Sequence, residues 1–254
     1  MQRLVGHFLG YSRVQLYLEF DRPLEDDELV PIRDGLKRRG QGIPLQHILG
    51  EVEFLRRDFL CDGRGLIPRP ETEELVSLIL KEKETLPDPL RILDVGTGSG
   101  VIGLSLAAEL PSASETVLSD SSPDALELAR ENANRLEVEA TFVASHLFDD
   151  IPGNFSLIVA NLPYVPEKDR AQLAPELAHD PAAALFSGAD GLDLIREFIP
   201  VATTRLTPGG LLAMEIGHDQ GKTVAELLTV AGLTEVDIKA DLSGVSRFPF
   251  ARKR

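Results

Sequence analysis

Several residue types are scarce in this 254-residue sequence: it has one cysteine, no tryptophan, two methionines and three tyrosines. The lone Cys61 excludes an intramolecular disulfide and any multi-cysteine zinc or iron–sulfur site, and core packing is its expected role. His7, His47, His179 and His218 are scattered without ligand spacing, so no metal is expected. No apolar run approaches the roughly 18 residues of a membrane span. Met1 to Gly10 lacks the long apolar core of a signal peptide, so a cytoplasmic monomer without membrane contact is expected. Basic residues are also few: 26 Lys and Arg against 41 Asp and Glu leave a net charge of −15. That balance opposes direct nucleic-acid binding, which depends on Lys and Arg neutralising phosphates. Lys37 to Arg39 and Ala251 to Arg254 read as short solvated basic stretches.

What is present is an ordinary globular composition whose patterning changes near residue 65. Before it, Ser12 to Phe20 and Leu24 to Arg39 carry apolar residues at helical spacing, with Pro23, Gly35 and Gly40 as breaks. Gln46 to Leu49 and Glu53 to Cys61 read as two short strands of a hairpin around Gly50. From Leu66 strands and helices alternate. Strands are predicted at 91–95, 116–119, 140–143, 156–160 and 211–216, with helices at 71–84, 101–110, 123–136, 192–206 and 219–231. Thr207 to Gly210 reads as a turn. This order predicts an α/β fold with a mostly parallel, doubly wound sheet. The last two strands, 236–239 and 245–250, are too close in sequence for a helical crossover and should pair antiparallel. The division expected is a helical region at 1–42, a hairpin linker at 43–65 and an α/β domain at 66–254.

Two constellations carry chemistry. In the first, Asp94-Val-Gly96-Thr97-Gly98-Ser99-Gly100 follows a strand and opens a helix, and Asp120 ends the next strand. Glycines allow a tight turn and close backbone approach to a ligand, and a carboxylate at Asp120 can accept hydrogen bonds from both ribose hydroxyls. The loop alone also satisfies a dinucleotide pattern, Gly98-Ser-Gly100-Val-Ile-Gly103. Asp94 favours S-adenosylmethionine, because a carboxylate before the glycines can order the loop and oppose a cationic amino-acid group but would repel a pyrophosphate.

In the second, the buried strand 156–160 ends in Asn161-Leu162-Pro163-Tyr164. Ligands in open α/β sheets bind at the carboxyl ends of strands, so this tetrapeptide should face the glycine loop. A planar amide or aromatic amine is a weak nucleophile whose two N–H donors must be held while its lone pair meets the methyl group. The Asn161 side-chain oxygen can accept one donor and the Leu162 carbonyl the other, with Pro163 fixing the chain direction. The Tyr164 ring can stack on the planar group. Such a site works by orientation and needs no strong base before methyl transfer.

With these motifs in place the sequence resembles the HemK/PrmC family of protein-glutamine methyltransferases from about Leu45 to the C-terminus. The resemblance rests on Pro44 to Gly50 with Glu53-Phe54, Leu66-Ile-Pro-Arg-Pro-Glu-Thr-Glu73, Asp94 to Gly100 and Asn161 to Tyr164. Asp180-Pro181, Ala184-Leu185 and Gly188 to Leu192 extend it. It implies a seven-stranded Rossmann-like class I methyltransferase sheet with a C-terminal antiparallel hairpin, preceded by a small helical region and a β-hairpin. It implies S-adenosylmethionine as cofactor and, as substrate, the glutamine of the GGQ motif in class I peptide-chain release factors. Gly96 to Gly100, Asp120 and Asn161 would contact the cofactor, and Asn161 to Tyr164 the substrate amide. A glutamine of a ribosomal protein is the near alternative, and adenine in nucleic acid the more distant one.

Three departures from the family pattern stand out. Leu162 replaces a proline of the usual Asn-Pro-Pro-Tyr, so a looser site is expected. After the third strand, Ser145-His146-Leu147-Phe148 replaces the common acid-plus-apolar pair, leaving His146 to meet the adenine edge or solvent and Leu147 to supply apolar contact. The helical region looks a helix or two short. Arg69 is expected to hold the cofactor region or substrate backbone, or else to pair with Glu71 or Glu73. Glu215 lies at the active edge of the sheet. If the acidic surface helps meet a basic, RNA-binding substrate, association should slow as salt rises; stopped-flow rates that stay flat from low to high salt would contradict this.

Overall fold

The computed structural model describes residues 1–172 and 175–254. Four helices open the chain: α1 (Gln2–Leu9), α2 (Arg13–Leu18), α3 (Asp26–Gly40) and α4 (Leu45–Leu49). Leu4, Ile32 and Ile48 from three of them form a small core of their own. The Ser12 hydroxyl accepts from Gln15 N while the Gln15 side chain accepts from Ser12 N, a capping box that starts α2. Two local expectations are corrected here. Gly35 does not break α3; it lies mid-helix against Phe8, whose ring sits 2.8 Å from where a Cβ would be, so its smallness serves packing. Gln46 to Leu49 is helix rather than strand. Pro44 precedes its first turn, Gly50 ends it in a left-handed conformation, and Ile48 is drawn into the small core.

The hairpin is therefore β1 (Glu51–Phe54) and β2 (Arg57–Leu60), closed by Leu55 and Arg56 at φ 47° and 62°. Positive φ at both turn residues matches the right-handed twist of a two-residue hairpin. Then follow α5 (Pro70–Lys81), β3 (Arg91–Val95), α6 (Val101–Glu109), β4 (Glu115–Asp120), α7 (Pro123–Leu136), β5 (Thr141–Ala144) and β6 (Phe155–Ala160). The chain continues through α8 (Asp193–Arg205), β7 (Leu206–Met214), α9 (Gly221–Val230), β8 (Leu233–Ala240) and β9 (Ser246–Lys253).

The seven strands run in the order β5-β4-β3-β6-β7-β9-β8. The first five are parallel, and β9 is antiparallel to both neighbours. Every residue of β6 is buried, as a strand covered on both faces requires. Its side chains alternate: Leu157 and Val159 join the core formed with α5, α6, α7 and the hairpin, while Ile158 and Ala160 join the core beneath α8 and α9. Thr207 to Gly210, expected as a turn, bulges from β7, since Leu206 pairs with Phe155 and Leu211 with Leu157. None of the described helices is long and apolar enough to cross a membrane.

Strand order reverses between β3 and β6. The chain leaves β3 for β4 on one side, and β6 adds on the other, so the two carboxyl ends diverge and open a crevice. The wall of that crevice is tied to the hairpin by Asn132 of α7, which is fully buried. Its side chain accepts from Leu60 N at 2.6 Å and donates to Leu60 O at 3.2 Å and Ser99 O at 2.9 Å. Asn132→Ala strands these groups in the interior and should lower the unfolding free energy by about 3 kcal/mol. Urea denaturation checks this; a loss below about 0.5 kcal/mol would remove the tie from the account.

Candidate active site

The glycine loop is ordered from below. Gly96, Gly98 and Gly100 sit at φ 72°, 56° and 85°, the left-handed region that side chains other than glycine resist. Gly96 N and Thr97 N both donate to Ser119 O at 2.9 Å. Asp94 is fully buried behind the loop and does not line the crevice. Its Oδ2 accepts from Thr97 Oγ1 at 2.6 Å and from Gly103 N, in the first turn of α6, at 2.9 Å. Its Oδ1 has no partner among the described residues. Asp94 thus occupies a helix-start donor that a pyrophosphate would need, so it bears on ligand choice through the helix rather than by facing the ligand.

A cleft of about 200 Å³ opens above the loop, lined by Gly96 to Ser99, Asp120, His146, Leu147 and Asn161 to Pro163. Gly100 is not part of its wall; it lies against Leu104 and Ala129. Asp120 Oδ2 accepts from Gly98 N and Oδ1 from Ser122 N, both at 2.9 Å, which fixes the carboxylate at the rim. His146 is half exposed, with Nε2 3.0 Å from Glu197 Oε1, and Leu147 is buried at φ 48°. Leu162 is buried too, with Cδ2 3.0 Å from where a Cβ on Gly96 would stand. The leucine therefore fills space against the glycine loop, an anchorage that was not foreseen for the residue replacing proline.

A second cleft, of about 300 Å³, also borders the tetrapeptide. Asn161, Leu162, Leu66 and Arg69 line both clefts; Tyr164, Glu71, Glu215 and Arg247 line only the second. Below them runs a chain of polar groups. Thr72 Oγ1 donates to Glu215 Oε2 at 2.7 Å, Tyr164 OH donates to Glu215 Oε1 at 3.3 Å, and Asn161 Nδ2 reaches Thr72 Oγ1 at 3.4 Å. Burial raises both the Glu215 carboxyl and the Tyr164 phenol above their ordinary ranges.

The PrmC N-terminal domain model matches residues 1–50, and the methyltransferase small domain model matches residues 74–190. A release factor glutamine methyltransferase of Deinococcus radiodurans is 42% identical over 98% of this chain and 89% of its own length. Those of Geobacter sulfurreducens and Rhodospirillum rubrum are 39% and 41% identical, over 96% and 99% of this chain and 85% and 77% of theirs. The chain belongs to the release factor glutamine methyltransferase family. Among solved structures, the human Mettl16 catalytic domain superposes with a TM-score of 0.57 at 16% identity, covering 90% of this chain and 82% of that one. A ribosomal protein L11 methylase of Lactobacillus delbrueckii gives 0.54 at 21%, covering 73% and 81%. These two share the fold.

The cofactor of this methyltransferase family is S-adenosylmethionine, and the first cleft fits it. The bare backbone at Gly98 faces open space, the Asp120 carboxylate stands at the rim, and Leu147 gives an apolar wall. Several contributors were hidden in the sequence. Thr72 reads there only as a helix start, and Asn132 as one polar residue of an amphipathic helix. Gly191 lies where a Cβ would be 2.0 Å from Tyr164 O, and the buried Gln220 donates to that same carbonyl at 2.9 Å. Arg69 pairs with the buried Asp180 at 2.6 Å rather than with Glu71 or Glu73, because Asp180 is already held by Ile67 N at 3.1 Å. The Cys61 thiol is buried and pushed up to about 12, so it is inert.

Burial lifts the Asp94 carboxyl from 3.8 to about 6. The folded protein keeps a proton there that the unfolded chain releases, so this contribution to stability is full below the unfolded value and is lost as pH rises through about 6. Relative to Asp94→Asn, the cofactor-free wild type should lose about 2 kcal/mol of unfolding free energy between about pH 4 and pH 6.5. Urea titrations of both proteins across that window check this; parallel pH profiles would contradict it.

Proposed function

We propose that this methyltransferase transfers a methyl group to the side-chain amide nitrogen of the glutamine in the GGQ motif of class I peptide-chain release factors, and so acts on translation termination. The observation that carries the reading is the shared wall: Asn161 and Leu162 line both the cleft above the glycine loop and the second cleft. The names of the relatives support release factors as substrate.

S-adenosylmethionine, held by the glycine loop and Asp120, supplies an electrophilic methyl group. The chain itself supplies orientation. Asn161 Oδ1 accepts one N–H of the substrate amide and the Leu162 carbonyl the other, which aims the nitrogen lone pair at the methyl group. Tyr164 borders the second cleft, with its hydroxyl held by Glu215 and its ring available to the planar amide. Transfer would break the sulfur–methyl bond, leaving the neutral thioether, and form a cationic N-methylated amide, whose N–H is far more acidic than that of the neutral amide, so the proton passes to water without a strong base.

Residues 1–42 serve as the docking region, with 43–65 as the link and 66–254 as the catalytic domain. Val14, Tyr17, Leu18 and Phe20, around α2, and Val30, on α3, are largely exposed and offer an apolar surface for a protein partner.

Tritiated S-adenosylmethionine should label a class I release factor and leave the same factor unlabelled when the GGQ glutamine is changed to alanine. Asn161→Ala should lower turnover at least about 10²-fold, about 2.7 kcal/mol of transition-state stabilisation. Label on neither factor, despite measured cofactor binding, would overturn the reading, and near-normal turnover by Asn161→Ala would remove the role of that side chain.

A further inference from the structure

We infer that Thr72 and Glu215 are positioning residues: together they fix which way the Asn161 amide faces, so that its oxygen and not its NH2 group meets the substrate. The inference rests on the glutamine-methylation reading of the site and assigns an orienting task to Thr72, in the wall of the first cleft, and Glu215, in the wall of the second.

An Asn side chain carries an oxygen and an NH2 group of nearly equal size, and only its surroundings decide which end points where. A substrate amide brings two N–H donors, so the site needs an acceptor; a reversed Asn161 would oppose donor with donor. Thr72 Oγ1 has a single proton, and it is directed at Glu215 Oε2, 2.7 Å away. That leaves Thr72 with acceptor capacity only toward Asn161, whose Nδ2 lies 3.4 Å away. The NH2 group is thereby drawn to Thr72, and Oδ1 is left for the ligand.

Glu215 is what gives the chain its direction. Burial favours its neutral form, and the two hydroxyls that reach it, from Thr72 and Tyr164, favour the ionised one; ionised, it only accepts, so both hydroxyls must donate to it. It is 2% exposed and has no ion-pair partner among the described residues, since Arg247 is held by Asp241 at 2.8 Å. An unpaired carboxylate is a costly core residue, and a hydrophobic one would stabilise this site more. Its backbone is fixed as firmly as its side chain: Glu215 N donates to Ala160 O at 3.1 Å, one residue before Asn161. Thr72 is delivered from a third element, the first turn of α5, which Pro70 opens. Three segments far apart in sequence thus meet to orient one amide.

The test compares wild type with Thr72→Val, Thr72→Ser and Glu215→Gln. Valine keeps the volume and loses the acceptor. Serine keeps the hydroxyl. Glutamine can present its own NH2 group to Thr72, which then donates to Asn161 and reverses the amide. The release factor is large and binds mostly away from the reacting amide, so the loss should appear in kcat. Thr72→Val and Glu215→Gln should each lower kcat at least about 10-fold, with KM and cofactor Kd within about 3-fold of wild type, and Thr72→Ser should restore kcat to within about 3-fold. Melting temperatures identify any variant that has simply lost its fold.

A second readout is independent of turnover. With asparagines 15N-labelled, the Asn161 side-chain resonance, assigned by its disappearance in Asn161→Ala, should exchange with water slowly in wild type and Thr72→Ser and faster in Thr72→Val. Wild-type kcat and slow exchange in a folded Thr72→Val would overturn the inference. So would a defect confined to cofactor Kd. Failure of the wild type itself to label a release factor would count against the substrate reading, and the exchange measurement would still decide the orientation.

Discussion

The close approach of Leu162 to Gly96 is the contact on which the site depends. It joins the carboxyl ends of two adjacent parallel strands at the one place where strand order reverses. Any side chain at residue 96 would force these ends apart, and any smaller residue at 162 would leave them unpacked. Asn161 and Leu162, beside this contact, form a wall common to both clefts, so ligands in the two clefts can meet along it with correct aim and no large motion of the chain. The proline expected at residue 162 would have stiffened this wall through its ring; the leucine secures it by burial between the loop and the core beneath α8.

Three buried carboxylates surround that contact, and each serves the arrangement of the chain before any ligand. Asp94 binds the glycine loop to the start of α6. Asp180 ties the segment after Tyr164 to Arg69 and Ile67, at the edge of both clefts. Glu215 collects two hydroxyls beneath the tetrapeptide. Burial makes each of them expensive; Asp94 meets that expense with donors three and nine residues on, Asp180 and Glu215 with donors from segments distant in sequence. The catalytic power of such a site lies in geometry, and these carboxylates are where the geometry is set.

The fold was largely legible because its signals are local. Strands such as 91–95 and 156–160 are short apolar runs between helices with clear starts, and the Ala240 to Gly244 gap allowed only an antiparallel return. Errors came where short segments offered little pattern. Gln46 to Leu49 has too few residues for periodicity to separate strand from helix, and its packing on Leu4 and Ile32 decided the matter. Gly35 looked like a break, since its contact with Phe8 is invisible along the chain. At the site, the glycine loop and the tetrapeptide could be read directly, because turn chemistry and ligand chemistry leave contiguous motifs. Glu215 could be placed at the active edge but its partners could not, and Thr72, Asn132 and Gln220 could not be read this way. Their roles arise from hydrogen bonds across 33 to 143 residues of sequence, for which no single segment carries a signature.

The most direct test of the account is a crystal structure of the protein with S-adenosylhomocysteine and a peptide containing the GGQ motif. The account predicts the nucleoside against Gly96 to Ser99 and Asp120, and the glutamine side chain in the second cleft. Its amide should be held by Asn161 Oδ1 and the Leu162 carbonyl, with Asn161 Nδ2 still on Thr72. A glutamine bound away from the tetrapeptide, or an Asn161 turned with its NH2 group toward the peptide, would contradict it.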